Sequence, residues 1–377
     1  SMARVLKLMN SSLRWTWSAE FMGGIWNRDL TKAGRVSADH TRFMARCALA
    51  HGCKGISWFM FHDRDTWGDS PVSSHGHPRP SHAILRETVA LCREKMTDWP
   101  NLTPRYDVAI VYDLLSHLHT YLGDDSPCAD NAMHVGTPSI AGVEAGRASR
   151  EYEGLFRLVE QAGYQAGAVD LLHCGDMPED VHLAMLPGTA VVAQAVSDNL
   201  RRWVEAGGTL VVTGAWPIRN ETGWPIAFLG LDQAGDATLG SGKVIHHPDW
   251  LGQADPEQEA LEAIDRVRTW IEQTLGRSFH VHIKPEQTVR WIDWKRPGGV
   301  GEHVQPRNLG SATLSSSDRE RVLFVLNHYI DAVRFIVTLG ADATALIDLD
   351  TDERIALTDR SAILDLDRKA CRLLRVE

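Results

Sequence analysis

The sequence predicts an α/β protein in three parts, and three observations lead to this prediction. The opening hundred residues alternate strand-like apolar runs with helices, and a new alternating pattern begins after the linker Pro100 to Pro104. Beyond Phe279, short β-type runs are separated by polar turns. This order predicts two βα units, then a doubly wound α/β domain, then a small antiparallel β-sandwich. The predicted boundaries are residues 1–100, 105–250 and 251–377.

Composition narrows the class of protein. The chain has 377 residues, more than the ~100 to 200 residues usual for one domain. Hydrophobic residues make up 44% and charged residues 23%, as in a soluble globular protein with sizeable cores. The net charge of -10 argues against nucleic acid or an anionic membrane as partner, because binding to phosphates relies on clustered Lys and Arg.

The sequence also predicts the compartment. No apolar run approaches the ~20 residues that span a bilayer, and the first residues lack the apolar core of a secretory signal. The six cysteines are scattered, without the spacing of a metal site or a disulfide framework. We therefore expect a cytoplasmic protein with reduced thiols and no cofactor.

The first part contains two βα units. Arg14 to Phe21 is rich in β-favouring residues, and Ser37 to His51 has apolar residues at helical spacing. Gly55 to Phe61 is continuously apolar, as expected for a parallel strand buried on both faces, and Ser81 to Lys95 is amphipathic. Because a βα barrel needs eight such units over ~250 residues, these two units cannot close a barrel.

The second and third parts follow from the same periodicities. Strands are predicted at Val108–Tyr112, Ala166–Val169, Leu183–Met185 and Thr209–Thr213, with helices at Arg150–Ala162 and Ser197–Ala206. Asp124–Ser149, rich in Gly, Ser, Ala and Pro, is predicted to be a long surface loop. The third part begins with the amphipathic helix Pro256–Leu275 and continues in seven short β runs between Thr288 and Val376.

The candidate catalytic residue is Glu20, near the end of the first predicted strand and just before the turn Gly23–Gly24. Barrel enzymes place catalytic groups at this end of parallel strands. Trp15, Trp17 and Trp26 offer apolar platforms for the C–H faces of a sugar ring, and a charge beside them is poorly solvated. The alternative is an ordinary solvated loop glutamate.

A second candidate region is the strand Gly55–Phe61 and the loop after it. Its aromatic, imidazole and carboxylate side chains include Trp58, Phe61, His62, Asp63 and Trp67. Aromatic rings can stack on a sugar, whereas His62 and Asp63 can bond its hydroxyls. Composition leaves an alternative equally open, in which the aromatic residues are core and the charged ones pair with each other on the surface.

These two segments resemble the seventh and eighth strands of β-galactosidases of glycoside hydrolase families 42 and 35. The first is Ser18 to Gly24, and the second, Gly55 to His62, follows about thirty residues later in the right order. The resemblance implies that Glu20 is the nucleophile of a retaining glycosidase. It also implies a partial TIM (β/α)8 barrel consisting of the last two βα units, with a galactose subsite lined by Trp58, Phe61 and His62.

The resemblance extends over nearly the whole chain. Family 42 enzymes follow the barrel with a flavodoxin- or glutamine-amidotransferase-like α/β domain used for trimerisation, and then with a β-sandwich. Asp107–Tyr112, Leu183–Gly188 and Trp203–Gly214 resemble the middle domain, and Leu323–His328 resembles the sandwich. An oligomer acting on a β-galactoside or related oligosaccharide is therefore implied.

One of the two catalytic groups is missing from this pattern. A retaining glycosidase needs two carboxyl groups about 5 to 5.5 Å apart, and in these families the acid/base glutamate follows an Asn on the fourth barrel strand. Residues 1–100 contain no Asn-Glu pair, and Asn220–Glu221 lies in the second part. We therefore expect a complementary N-terminal barrel portion to supply it, as a partner subunit or as the remainder of a longer polypeptide.

Other functions fit the sequence less well. His75, His77 and His82 lie close together without a Cys or carboxylate in the run, so no metal is predicted. Cys174 precedes a Pro-containing loop, whereas an amidotransferase nucleophile precedes a helix. The competing hypothesis is a non-catalytic assembly or carbohydrate-binding subunit that keeps the barrel segments only as an interface.

Overall fold

A computed structural model describes residues 2–13, 15–26, 37–64, 66–115, 147–253, 258–287, 291–292, 302–303, 308–329 and 331–377. The chain divides into two compact units, one formed by 1–105 together with 280–377 and the other by 106–279. Several sheets, helices and sandwich-like antiparallel sheets are present, so the predicted α/β class is confirmed. The three predicted domain boundaries stay a prediction.

The first unit begins with two consecutive strand–helix segments. Its elements are α1 (Met2–Ser12), β1 (Trp17–Met22), β2 (Ile25–Trp26), α2 (Ala38–Ala50), β3 (Gly55–Phe59), β4 (Trp67–Gly68), α3 (Pro80–Ala90) and β5 (Thr103–Pro104). The Ser37 side chain accepts a hydrogen bond from the His40 amide and caps α2. β1 and β3 pair in parallel, as the two predicted βα units require.

The β1–β3 sheet differs from the prediction in its burial. Within the described residues this sheet has two strands, and both Ser57 and Phe59 on β3 are exposed. The apolar run was expected to be covered on both faces. The physical reason is that only one face of the pair is packed. Ile56 and Trp58 pack with Phe21 and with Ala48 of α2, whereas Ser57 and Phe59 alternate onto the face that the described residues leave largely uncovered.

The second unit is built on a six-stranded sheet. Its elements are β6 (Val108–Tyr112), α4 (Arg147–Gln161), β7 (Ala166–Asp170), α5 (Leu171–Cys174), β8 (Leu183–Gly188), α6 (Gln194–Glu205), β9 (Thr209–Gly214), β10 (Ala237–Leu239), β11 (Gly242–His247) and α7 (Gln258–Leu275). The strand order is β10-β11-β9-β8-β6-β7, with β10 antiparallel to β11 and the other neighbours parallel.

Burial in this sheet follows the apolar runs of the sequence. Every residue of β7, β8 and β9 is buried, as expected for parallel strands covered on both faces. Helix α6 packs Val196, Leu200 and Val204 into the same core. Most of the predicted loop 124–149 lies outside the described residues. Helix α7 belongs to this unit, whereas the sequence grouped it with the C-terminal strands.

The C-terminal strands complete the first unit. They are β12 (Val281–Pro285), β13 (Trp291–Ile292), β14 (Glu302–His303), β15 (Gly310–Ser316), β16 (Arg321–Asn327), β17 (Val333–Leu339), β18 (Ala345–Asp348), β19 (Arg354–Ala356), β20 (Ser361–Leu366) and β21 (Cys371–Val376). Two antiparallel sheets, β12-β17-β20 and β19-β18-β21-β16-β15-β5, enclose a common apolar core that includes Ile283, Phe335 and Leu374.

Helix α2 joins the opening segment to these C-terminal strands. Cys47 and Leu49 of α2 share a buried cluster with Phe324 of β16. Beside this cluster, Arg46 donates two hydrogen bonds to the Asp350 carboxylate, at 2.6 and 2.7 Å, and a third to a backbone carbonyl oxygen. These contacts explain why the two ends of the chain form one unit.

We expect Arg46→Met to destabilise the first unit by about 2 kcal/mol. Losing one partner of a buried pair costs ~3 to 5 kcal/mol, but Asp350 is 40% exposed and water would screen its unpaired charge. Denaturant unfolding followed by hydrogen exchange of 38–50 measures the loss. Arg42→Met is the matched control, since its pairs with Asp39 and Glu87 lie nearer the surface. Equal losses in both variants would contradict the assignment.

Candidate active site

Glu20 lies on β1 where the strand's pairing with β3 is irregular. The register shifts between Ser18 and Phe21, which is the mark of a bulge, and bulges redirect side chains. The Glu20 side chain is exposed, although the sequence predicted a poorly solvated charge. Within the described part of the chain, no hydrogen bond or ion pair holds its carboxylate. Its exposure makes the carboxylate accessible from solvent.

The Gly-Gly turn after β1 packs directly on the loop that follows β3. The Gly23 amide donates to the Phe59 carbonyl oxygen at 2.8 Å. A Cβ atom on Gly23 would lie 2.7 Å from the Met60 carbonyl oxygen, and one on Gly24 would lie 2.5 Å from that of Gly68. No side chain fits at either distance. The close approach of these two segments thus requires both glycines.

A bidentate ion pair holds the loop after β3. Arg79 donates to both carboxylate oxygens of Asp63, at 2.8 and 2.5 Å, and to the Ser70 carbonyl oxygen at 2.8 Å. The Ser70 amide donates to Asp63 at 2.9 Å. The Arg79 guanidinium holds the pKa of Asp63 below its ordinary range, so this carboxyl is ionised at neutral pH. Sequence reasoning predicted Asp63 as a sugar ligand and missed Arg79.

Large apolar side chains are exposed along β1 and β3 and at their ends. This exposed apolar surface consists of Trp15, Trp17, Met22, Phe59 and Phe61, each between 40% and 67% exposed. The Phe59 and Trp67 rings meet edge to face, with centroids 5.5 Å apart. Large apolar side chains exposed in this number along two paired strands are typical of a site for a ligand or for another polypeptide.

The predicted sugar-binding residues fall into distinct settings. Trp17, Phe61 and His62 are exposed. Trp58 is half-buried and packs edge-on against Phe21, with ring centroids 4.9 Å apart, which favours a supporting position. The Trp26 backbone pairs with that of Trp67, whereas the Trp26 side chain lies outside the description. These sugar-binding roles stay predictions.

The described residues contain neither a candidate metal cluster nor a helix that could span a membrane. No group of three or more His, Cys, Asp or Glu side chains in the described ranges could hold a metal ion; His75 and His77 are exposed. In the same part of the chain, no helix combines the length and apolar character needed to cross a membrane.

The fold of this chain is similar to parts of several solved glycoside hydrolases. Its structure is similar to an α-L-fucosidase isoenzyme 2 from Paenibacillus thiaminolyticus, with a TM-score of 0.59 and 11% identity over 99% of this chain and 62% of that chain. More particularly, it is similar to GH42 β-galactosidases. One is a catalytic mutant of Gan42B from G. stearothermophilus, with a TM-score of 0.66 and 14% identity over 99% of this chain and 56% of that one.

A second β-galactosidase, from Bacillus circulans sp. alkalophilus, gives a TM-score of 0.64 and 14% identity over 100% of this chain and 57% of the other. The chain thus spans a little over half the length of these two β-galactosidases.

The family model described as "GLMA-like, second domain" matches residues 138–234. No curated protein matches the sequence. The resemblance to a C-terminal family 42-like portion is confirmed in fold.

Proposed function

We propose that this chain is the C-terminal portion of a retaining glycoside hydrolase that cleaves terminal β-galactosyl-type residues, with Glu20 as nucleophile. The observation that carries the proposal is the setting of Glu20, an exposed carboxylate at a bulge of β1 with a Gly-Gly turn after it. The same strand exposes Trp17, and the paired strand β3 exposes Phe59. On this proposal, β1, α2, β3 and α3 are the last two βα units of a TIM barrel.

The order of the parallel strands supports the rest of the assignment. From the edge inward, β7-β6-β8-β9-β11 has the order 2-1-3-4-5, which is that of flavodoxin-like sheets. A domain of this kind is the expected amidotransferase-like middle domain. Its GLMA-like match and the family 42 resemblance favour an oligomer. Cytoplasmic location and resemblance to family 35 stay predictions.

The proposed reaction is a double displacement. The Glu20 carboxylate attacks the anomeric carbon while a second carboxyl group protonates the departing glycosidic oxygen, and water then releases the sugar from the covalent intermediate. Asp63 is a poor choice for the second group. A general acid needs a raised pKa, whereas Arg79 lowers the pKa of Asp63. The acid/base residue is therefore assigned to the complementary N-terminal barrel portion.

The sugar subsite is proposed to combine stacking with hydrogen bonding. The exposed ring of Phe61 and the half-buried ring of Trp67, in the segment after β3, are proposed to offer apolar faces for the C–H side of a galactose ring. Trp17 and Trp26 stay predicted platforms. His62 is exposed just after the carboxyl end of β3 and can form a hydrogen bond with a sugar hydroxyl. β-Galactose itself is inherited from the resemblance.

The exposed apolar side chains outside the proposed sugar subsite, Trp15, Met22 and Phe59, are proposed to be covered by the complementary barrel portion. Such a surface is unusual on an isolated domain, and more than two fifths of Gan42B lies outside its match to this chain. The alternative, a non-catalytic assembly or carbohydrate-binding subunit, would use the same surface. Only the alternative leaves Glu20 without a role in turnover.

Mixing this chain with a polypeptide that carries the preceding six βα units is expected to generate hydrolysis of a nitrophenyl β-galactoside. Burying a large apolar side chain contributes ~1.5 to 3 kcal/mol, so the double variant Trp15→Ser, Met22→Ser should weaken the complex at least about tenfold. Titration calorimetry measures this dissociation constant. Trp224→Ser, an exposed tryptophan of the second unit, is the control. Unchanged affinity in the double variant contradicts the proposed interface.

A further inference from the structure

We propose that Arg79 is a positioning residue that fixes Glu20 through the loop after β3. The inference rests on the proposed role of Glu20 and adds a residue outside the predicted sugar-binding set. A series of three contacts connects Arg79 to β1, the strand that carries Glu20. The contacts run through Asp63, the backbone of the loop and the Gly-Gly turn.

The first step is the anchoring of Arg79 itself. It lies between Pro78 and Pro80, which restrict the backbone on both sides. Arg79 occupies the N-cap position of α3, and its side chain makes no capping hydrogen bond. The guanidinium is instead directed to the loop, so α3 provides a rigid support for the ion pair with Asp63.

The second step is the shaping of the loop. The Arg79 guanidinium holds Asp63 and the Ser70 carbonyl oxygen together, and Asp63 in turn accepts from the Ser70 amide. Ser70 is fully buried, and Asp69 before it has a positive φ of 57°. The Asp63 amide also donates to the Val72 carbonyl oxygen at 3.0 Å. One guanidinium therefore fixes both limbs of the loop.

The third step is the contact with the Gly-Gly turn. Gly23 and Gly24 are buried, and the loop backbone lies too close to both for a Cβ atom. Just beyond the turn, Ile25 pairs with Gly68. Because no free space separates the two segments, a displaced loop displaces the turn. Glu20 lies three residues before Gly23.

Catalysis makes such a displacement measurable. The two carboxyl groups of a retaining glycosidase must stand about 5 to 5.5 Å apart, and a misplacement of about 1 Å can cost ~100-fold in rate. Lysine cannot replace Arg79, because an ammonium cannot reproduce the planar fork that spans both oxygens of Asp63. The exchange rates and kcat of Arg79→Lys should therefore lie between those of the native protein and those of Arg79→Gln.

The first test needs no activity. In the full chain, hydrogen exchange is measured for Arg79→Lys and Arg79→Gln. Amides 22–26, 60–64 and 66–70 are expected to exchange at least about tenfold faster in Arg79→Gln, and less so in Arg79→Lys. Arg42→Gln is the control, since Arg42 is another arginine of the same unit and its pairs with Asp39 and Glu87 lie nearer the surface. Unchanged exchange at 22–26 in Arg79→Gln, or equal changes in the control, overturns the inference.

The second test uses the assembled enzyme. Arg79→Gln is expected to lower kcat by about 10- to 100-fold with KM within about threefold, because positioning acts on the reacting carboxylate. Rates are normalised to sites trapped by a 2-fluoro glycoside, so a loss of folded protein does not count. Unchanged kcat per site overturns the inference. If the native assembly hydrolyses nothing, the proposed function fails, and the exchange test decides the positioning role alone.

Discussion

The Glu20→Gln variant is expected to lose about 10⁴-fold or more in turnover of a nitrophenyl β-galactoside once assembled with its complementary barrel portion. Glutamine keeps the size of the side chain and removes the negative charge that attacks the anomeric carbon. Fold and affinity for the partner should be unchanged, because the carboxylate has no hydrogen bond or ion pair within the described part of the chain. The loss should therefore appear in kcat.

A smaller side chain provides a sharper version of this test. Glu20→Gly leaves room beside the anomeric carbon, and azide can enter in place of the carboxylate. One displacement then replaces two, so the expected product is an α-galactosyl azide of inverted configuration. Recovery of rate with azide, and the anomer identified by NMR, would establish which residue is the nucleophile.

Glu87→Gln is the control for Glu20→Gln. Glu87 is an exposed carboxylate of α3 that pairs with Arg42, and we expect its loss to leave turnover unchanged. Native-like turnover in Glu20→Gln would remove the nucleophile assignment. A complex that binds sugar but hydrolyses nothing, with or without Glu20, would favour the non-catalytic alternative.

The second large effect concerns the stability of the second unit, which should fall as pH rises from about 4.5 to 7. Glu151 of α4 is fully buried. Burial raises its pKa from an ordinary 4.5 to about 7, against the smaller opposing influence of the Gly252 amide and the Thr213 hydroxyl. The folded protein therefore keeps a proton that the unfolded chain has already lost.

Proton linkage explains why the stability falls, and does not rise, with pH. Between pH 4.5 and 7 the folded state binds more protons than the unfolded state, so the free energy of unfolding decreases with pH. The two pKa values differ by about 2.5, and one pKa unit corresponds to about 1.4 kcal/mol. Glu151 thus costs the unit about 3 kcal/mol above pH 7, and nearly nothing below pH 4.5.

Glu151→Gln should remove this dependence, because glutamine resembles the protonated form. Near pH 4.5 the variant should match the native protein, and at pH 8 it should be more stable by up to about 3 kcal/mol. The free energy of unfolding of the second unit is measured by denaturant titration, followed through hydrogen exchange of residues 147–161. Glu153→Gln changes an exposed carboxyl of the same helix and is the control. Parallel pH profiles for Glu151→Gln and the native protein would contradict the prediction.

Local sequence patterns predicted many of the elements. Thr209–Thr213 is an apolar run that forms the buried strand β9 (Thr209–Gly214), and Arg150–Ala162 corresponds to α4 (Arg147–Gln161). Helix α1 (Met2–Ser12) was not predicted. Its Asn10 side chain bonds the His51 carbonyl oxygen, 41 residues further along, and a contact at such separation leaves no local pattern.

The candidate site was likewise predicted only in part from the sequence. The sequence placed Glu20 before a Gly-Gly turn, and the structure gives the reason for both glycines in the close backbone of the next loop. Sequence reasoning offered Asp63 as a sugar ligand, because nothing in the segment showed that Arg79 takes up its carboxylate. A charged pair sixteen residues apart in a loop has no periodicity from which it can be predicted.

By itself, the sequence determined the α/β class, the two opening βα units, the buried strands of the second unit and the position of the candidate carboxylate. These features depend on apolar spacing and turn residues within short windows. Only the tertiary structure decided that the chain's two ends form one unit, that α7 (Gln258–Leu275) joins the other, and that β3 (Gly55–Phe59) is partly exposed. Such outcomes depend on which distant surfaces meet, as where Arg46 reaches Asp350, and local spacing carries no record of that choice.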